Sequence, residues 1–252
     1  LNRYGAEQFL ARLSASRFVE RFVFKGGSLL TYLIETDRRT QDLDFSVSRL
    51  SQNVEKALAV IQKILDVSLD DGLTWVAPAG SPLHHPEMDY PGLRIKCPFR
   101  LGTAKGLVRM DLAVGDIVEP RKISLQRIRY RGRPLLGPDF PIMAYPVETV
   151  FAEKLQTAVK LGGRNTRMKD FYDLHNLARS KTLEPHLLRR SIEKTFRKRG
   201  TPFATSLDLD PETLKRLQVY WSAYIRKMKI VDAPTELTDV VREVNRLLRT
   251  MK

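Results

Sequence analysis

Asp42-Leu43-Asp44-Phe45-Ser46-Val47 alternates polar and apolar side chains, the period of a strand half-buried on one face. Leu43, Phe45 and Val47 turn towards a core, so Asp42 and Asp44 project together from the opposite side. Two carboxylates held on one face repel each other unless cations neutralise them. Hard divalent cations take oxygen ligands, so Mg2+ or Mn2+ is the expected partner, and such ions serve phosphoryl-group chemistry. An isolated Asp-x-Asp more often faces solvent, and what flanks this one decides its reading.

Upstream, Phe22-Val23-Phe24 is a short apolar strand that runs into Gly26-Gly27, and Ser28 opens a helical stretch carrying Leu29, Leu30, Leu33 and Ile34. Glycines between a strand and a helix let backbone approach phosphate oxygens, and the helix N-terminus presents free N–H groups to them. Ser28 lies fourteen residues before Asp42, which joins a phosphate-holding turn to a metal-holding strand. Residues 5–18 and 52–66 read as amphipathic helices, the latter on Val54, Leu58, Ile61 and Leu65. Leu73–Val76, Arg94–Cys97 and Leu107–Val114 read as strands, and Pro78 to Pro91 as a loop. This gives an α/β (α+β) lobe over residues 1–145. From Pro146 the pattern becomes helical throughout, over 147–160, 168–179, 184–198, 211–228 and 235–250, an all-helical lobe over 146–252.

Asp111, inside the apolar run Leu107 to Val114, is the candidate third metal ligand, on a strand expected beside that of Asp42 and Asp44. Asp116 follows Gly115 and is better explained as a turn residue. In the first C-terminal helix Val147, Val150, Phe151, Leu155 and Ala158 form a buried stripe, and Lys154 falls on it. An ammonium placed inward needs an anion, and a phosphate is the expected one. Asp170 and Asp173 share a face with Leu174 and Leu177, while Arg164, Arg167 and Lys169 crowd the preceding connection, where either a triphosphate or a nucleic-acid backbone is the expected partner.

Across 252 residues, 43 Lys and Arg stand against 29 Asp and Glu, a formal charge of +14. Such a surplus attracts polyanions by counterion release, so nucleic acid is the first partner to expect. The charge is concentrated: six basic residues and no acidic one fall in Arg121–Arg133, and a second cluster comprises Arg189, Arg190, Lys194, Arg197, Lys198 and Arg199. The single cysteine, Cys97, excludes an intrachain disulfide and points to no zinc site. No apolar run reaches membrane-spanning length and no leader pattern opens the chain, so a cytoplasmic location is expected. The first residue is Leu1 rather than Met, as expected if a little of the natural N-terminus is missing.

Lys25-Gly26-Gly27-Ser28, then Arg39-Thr40-Gln41-Asp42-Leu43-Asp44-Phe45, Glu153-Lys154-Leu155 and Lys169-Asp170-Phe171-Tyr172-Asp173-Leu174 together resemble the AbiEii/AbiGii toxin family, which includes the mycobacterial MenT toxins. The resemblance spans about residues 5–180. It implies a DNA polymerase β-like nucleotidyltransferase fold with a helical C-terminal lobe, and transfer of a nucleotide from NTP to RNA. It assigns metal to Asp42 and Asp44, phosphate contact to Ser28, the triphosphate to Lys154, and a further catalytic role to Asp170. Lys25, Gly27, Arg39, Arg164 and Arg167 are expected beside the NTP. The acceptor in the MenT branch is the 3′ end of tRNA, and an AbiEi-like antitoxin encoded nearby is the implied partner. The segment between Lys154 and Lys169-Asp170 is about two residues longer than the family spacing, which leaves Asp173 a rival to Asp170. Two other functions fit parts of the pattern. A small-molecule, antibiotic-modifying nucleotidyltransferase would share the metal motif but should carry an acidic acceptor pocket. A catalytically silent nucleic-acid-binding module would not need intact metal ligands.

Overall fold

The computed structural model describes residues 1–34, 36, 40, 42–83, 92–114 and 119–251. These divide into two compact units, one of Leu1–Tyr32 with Thr40–Tyr145, the other of Leu33–Arg39 with Pro146–Lys252. The chain is a mixed α/β protein with a central sheet and helices.

The first unit opens with helix α1 (Asn2–Ala15), which ends where Ser16 turns the chain and its hydroxyl accepts a bond from the Phe18 amide at 3.1 Å. Strand β1 (Phe22–Lys25) leads directly into α2 (Gly26–Leu33). There follow β2 (Asp42–Val47), α3 (Val54–Leu65), β3 (Leu73–Trp75), β4 (Ala79–Leu83), β5 (Gly92–Leu101), β6 (Ala104–Val114), β7 (Arg121–Leu125), β8 (Arg129–Tyr130), β9 (Arg133–Pro134) and β10 (Phe140–Ala144). Asn53 caps α3 by accepting from the Lys56 amide at 3.0 Å, which satisfies one of the free donors of a helix start.

The sheet runs β3-β5-β6-β2-β1-β10-β7, with β4 beside β3 along the same edge of β5. β2 pairs parallel with β6, β1 parallel with β10, and the remaining neighbours are antiparallel. One face is apolar. Phe45 meets the rings of Phe22, Phe24 and, from α1, Phe9 at centroid distances of 5.7, 5.4 and 6.3 Å, while Val54 and Leu58 of α3 approach Ile95 across Gly80. Helices α1 and α3 therefore cover this face. A buried bidentate ion pair between Arg12 and Asp71 fastens α1 to the turn before β3.

Two segments depart from the sequence reading. Of the loop expected over Pro78 to Pro91, residues 79–83 form strand β4, an edge strand whose Pro82 stands opposite Leu93, an edge being the place in a sheet where proline is tolerated. Residues 84–91 of that loop lie outside the described residues. The stretch 121–144, for which no strand was expected, supplies β7 to β10. β10 is internal to the sheet, and its Ala144 registers with Phe24.

The second unit contains α4 (Val147–Leu161), α5 (Met168–Arg179), α6 (Pro185–Lys198), α7 (Pro211–Met228) and α8 (Leu237–Arg249), each within a few residues of its expected span. Pro185 and Pro211 occupy first helical turns, where the missing amide costs nothing. α8 buries Leu237, Val240, Val241, Val244 and Leu248, and Trp221 of α7 is fully buried with its indole N–H donated to the Pro234 carbonyl at 2.9 Å. Among the described residues no helix is long and apolar enough to cross a membrane.

Candidate active site

The face of the first unit's sheet opposite α1 and α3 is charged. Directly paired residues share a face, and the register places Lys25, Asp44, Asp111 and Arg94 in one row across β1, β2, β6 and β5. The next row is Asp42, Arg109 and Lys96. Asp42 and Asp44 are both half-buried on this face, while Leu43 and Phe45 are buried on the other, the alternation expected from the sequence. β6 lies beside β2, which puts Asp111 opposite Asp44.

Arg94 is the participant that sequence reasoning did not single out. Its Nε and terminal nitrogen donate to both carboxylate oxygens of Asp111, at 2.8 and 2.7 Å. The bond to Asp111, together with the nearby charges of Asp42 and Asp44, raises the Arg94 pKa above its ordinary value. The available signal was the Arg94-Ile95-Lys96-Cys97 alternation, which puts cations on one face of β5. That the face meets Asp111 depends on which strands are neighbours.

The Gly26-Gly27-Ser28 turn abuts the acidic pair. Gly26 has φ of +70°, and a Cβ placed on it would come within 2.4 Å of an Asp44 carboxylate oxygen. Only glycine meets both constraints. Ser28 is 2% exposed, and its Oγ has no hydrogen-bond partner among the described residues. A buried hydroxyl without a partner is costly, and it sits in the first turn of α2, where backbone N–H groups are also unsatisfied. Gly27 is buried in the same turn. The Lys25 ammonium lies 5.4 Å from the Tyr145 ring centroid. Arg39 and Asp116 lie outside the described residues.

The donor chemistry suits a hard divalent cation at Asp42 and Asp44, whose oxygens share a face beside a glycine that leaves room for the carboxylate. Both oxygens of Asp111 are engaged by Arg94. Among the described residues no group of three or more His, Cys, Asp or Glu is disposed to hold a metal ion.

In the helical unit Lys154 of α4 donates to Asp170 at 2.6 Å and forms an ion pair with Asp173 at 2.7 Å, both on α5. The anions that meet this inward lysine in the structure are thus the two carboxylates that the sequence left as rivals. Arg167 donates its Nε to the other oxygen of Asp170 at 2.7 Å. Side-chain exposures of 11% for Lys154, 3% for Asp170 and 2% for Asp173 make this a buried cluster. Burial pushes the Asp170 carboxyl up, but Lys154 and Arg167 outweigh it and hold its pKa down at about 2. A carboxylate so firmly ionised is a poor general base at neutral pH and a good anchor for a lysine. Arg164 and Lys169 are exposed. Two cavities of this unit, of about 800 and 520 Å³, are lined by neither Lys154 nor Asp170.

A nucleotidyl transferase model, that of the AbiEii toxin of type IV toxin–antitoxin systems, matches residues 8–244. The chain belongs to this family. Solved structures with the same fold include JHP933 from Helicobacter pylori, at 14% identity and a TM-score of 0.54 over 97% of this chain and 89% of that one. MenT4, a nucleotidyltransferase toxin from Mycobacterium tuberculosis, aligns at 18% identity and a TM-score of 0.54 over 98% of this chain and 91% of that one. A second structure from H. pylori aligns at 13% identity and a TM-score of 0.50, covering 97% of this chain and 92% of that one. No protein of curated function matches in sequence. As an AbiEii-family member the chain is a nucleotidyltransferase toxin, and its family implies a nucleotide substrate and an antitoxin partner.

Proposed function

We propose that this toxin transfers a nucleoside monophosphate from NTP to the 3′-hydroxyl of RNA, the acceptor end of tRNA, and so blocks translation in the cytoplasm. The 3′-oxygen forms a bond to the α-phosphorus, the bond from that phosphorus to pyrophosphate breaks, and the hydroxyl proton passes to solvent. Asp42 and Asp44 would hold Mg2+ or Mn2+, which when bound neutralises the triphosphate and lowers the pKa of the attacking hydroxyl. Ser28 donates its unpartnered hydroxyl to a phosphate oxygen, and the amides of the Gly26-Gly27-Ser28 turn add to that cradle. Lys154 is assigned the charge of the β- and γ-phosphates, with Asp170 and Asp173 as positioning residues that fix its ammonium. Lys25, Arg39, Arg164 and Arg167 are the further phosphate contacts, and Asp111 joins the metal site if Arg94 releases it. The basic cluster Arg189–Arg199 seats RNA, and an AbiEi-like protein is the antitoxin.

The observation that carries this reading is the buried, unpartnered Ser28 hydroxyl, on the helix whose first residue abuts Asp44. The test is incubation of purified protein with total tRNA and each labelled NTP in turn, with and without magnesium. Label should enter tRNA from at least one NTP, only with metal, and Asp44→Ala should reduce the rate by about 10²- to 10³-fold, the scale of removing an electrostatic centre. Asp44→Ala protein that labels tRNA at the wild-type rate would refute the assignment.

A further inference from the structure

The basic stretch Arg121–Arg133 was singled out by charge, and the fold gives part of it a definite form. β8 and β9 make a two-stranded sheet of their own, separate from the eight-stranded one, with Tyr130 opposite Arg133. Arg131 and Gly132 form the two-residue turn, at φ of +50° and +79°. Positive φ at both central positions is the hairpin turn that matches strand twist, and its first position favours Asn, Asp or Gly. An arginine is strained there. Tyr130 is 64% exposed, and the Arg131 guanidinium lies 5.4 Å from its ring centroid.

The base of this hairpin is held by buried polar contacts. The Glu7 carboxylate of α1, fully buried, accepts from the Ile128 amide and pairs with Arg127 at 3.4 Å. Arg127 also donates to Gln8 at 3.1 Å and to the Pro138 carbonyl at 3.0 Å, and its guanidinium covers the Phe140 ring at 4.8 Å. Asp139 accepts from the Arg127 amide at 2.9 Å and pairs with Arg129 at 3.3 Å. Burying a carboxylate and a guanidinium is expensive unless the geometry is well satisfied, and here they fix a ribbon that adds nothing to the core. Solubility would account for the arginines. It accounts for neither the exposed ring nor the strained turn, and strain kept at an exposed tip points to a use there.

We propose that this hairpin is an RNA-binding arm in which Tyr130 stacks on an unpaired base while Arg131 and Arg133 contact the flanking phosphates. The inference rests on the reading of RNA as acceptor. Unpaired RNA presents both a face for an aromatic ring and regularly spaced phosphates, whereas an acidic protein surface would match the arginines and leave the ring unused. Duplex RNA hides its base faces, so the arm discriminates in favour of a single-stranded end.

The experiment measures binding of the full-length protein to fluorescent single-stranded RNA and to a duplex of equal length, by anisotropy over a salt series. Alongside it come the KM values for tRNA and for NTP. Tyr130→Ala should weaken single-strand binding by about 5- to 100-fold and raise the KM for tRNA, with the KM for NTP unchanged. Tyr130→Phe should restore affinity. Arg131→Gly combined with Arg133→Ala should reduce the slope of log affinity against log salt by about 1.4, near 0.7 for each lost phosphate contact. Wild-type single-strand affinity in Tyr130→Ala, or an equal loss on duplex, overturns the arm. Tyr130-dependent RNA binding without nucleotide transfer to RNA supports the arm and refutes the acceptor assignment. Transfer to tRNA that ignores every hairpin substitution does the reverse.

Discussion

Arg94 and Asp111 set the charge of this sheet face as much as Asp42 and Asp44 do. With both Asp111 oxygens bound by Arg94, a cation at Asp42 and Asp44 gains a third carboxylate only by displacing a bidentate guanidinium, a strong and geometrically specific partner. Arg94→Met should therefore free Asp111 and tighten Mn2+ binding to the nucleotide-free protein by about tenfold, since affinity for hard cations follows the count of charged ligands. Isothermal titration reads this directly, and unchanged affinity would exclude Asp111 from the metal site. Asp170 makes a second prediction. Its pKa is lowered from 3.8 to about 2, so the folded state binds that proton less readily than the unfolded chain. The stabilisation is complete above the unfolded value and disappears as pH falls from 3.8 towards 2. Asp170→Asn should flatten the acid limb of the stability curve over that window. At neutral pH it should cost about 3 kcal/mol in denaturant unfolding, because it leaves Lys154 and Arg167 with less compensation in a buried place. That Asp42 and Asp44 share a strand face, and that Lys154 and Asp170 turn inward, was legible in the sequence because period-two and helical spacing dictate which residues share a face. Arg94 was not, since its partner is fixed by strand order, and neither was the sharing of Lys154 by Asp170 and Asp173, which needs the approach of α4 to α5.

Among the elements, the helices were read within a few residues because each buries a stripe at helical spacing. β2 and β6 were read because each alternates beside an apolar core. β4 was masked by Pro78, Gly80 and Pro82, residues of a loop by composition that a sheet edge accommodates. β7 and β10 were hidden for different reasons: the first is mostly exposed and basic, and the second carries Pro141. Between elements, the Arg12–Asp71 pair is the tie whose loss should be felt most. Asp71→Ala leaves a 3%-exposed guanidinium uncompensated and should cost about 3–5 kcal/mol, measured as a lower urea midpoint with little change in slope. The hairpin of β8 and β9 responds in the opposite sense. Arg131→Gly relieves a left-handed arginine and should stabilise the protein by about 1 kcal/mol, seen as a higher Tm, while RNA affinity falls. A substitution that strengthens the fold and weakens binding is the mark of a residue kept for contact rather than stability.

At the scale of the whole molecule, a formal charge of +14 makes ionic strength a strong variable for any polyanionic substrate. Raising salt from 50 to 200 mM should weaken tRNA binding by at least about 10²-fold if several phosphates are engaged, with a much smaller effect on the KM for NTP. Equal salt sensitivity for both substrates would argue that the cationic surface is not an RNA track. The order of the strands carries a further consequence. β1 lies between β2 and β10, and β10 ends at Ala144, one residue before the first unit closes at Tyr145. During synthesis on the ribosome, Phe22-Val23-Phe24 is therefore an unpaired apolar edge until more than a hundred further residues have emerged, a template for pairing with another chain. A nascent chain interrupted before Phe140 lacks the strand that seals the sheet behind the Gly26-Gly27-Ser28 turn. Translation cut short before Phe140 thus leaves an open apolar edge that favours aggregation over a smaller working enzyme.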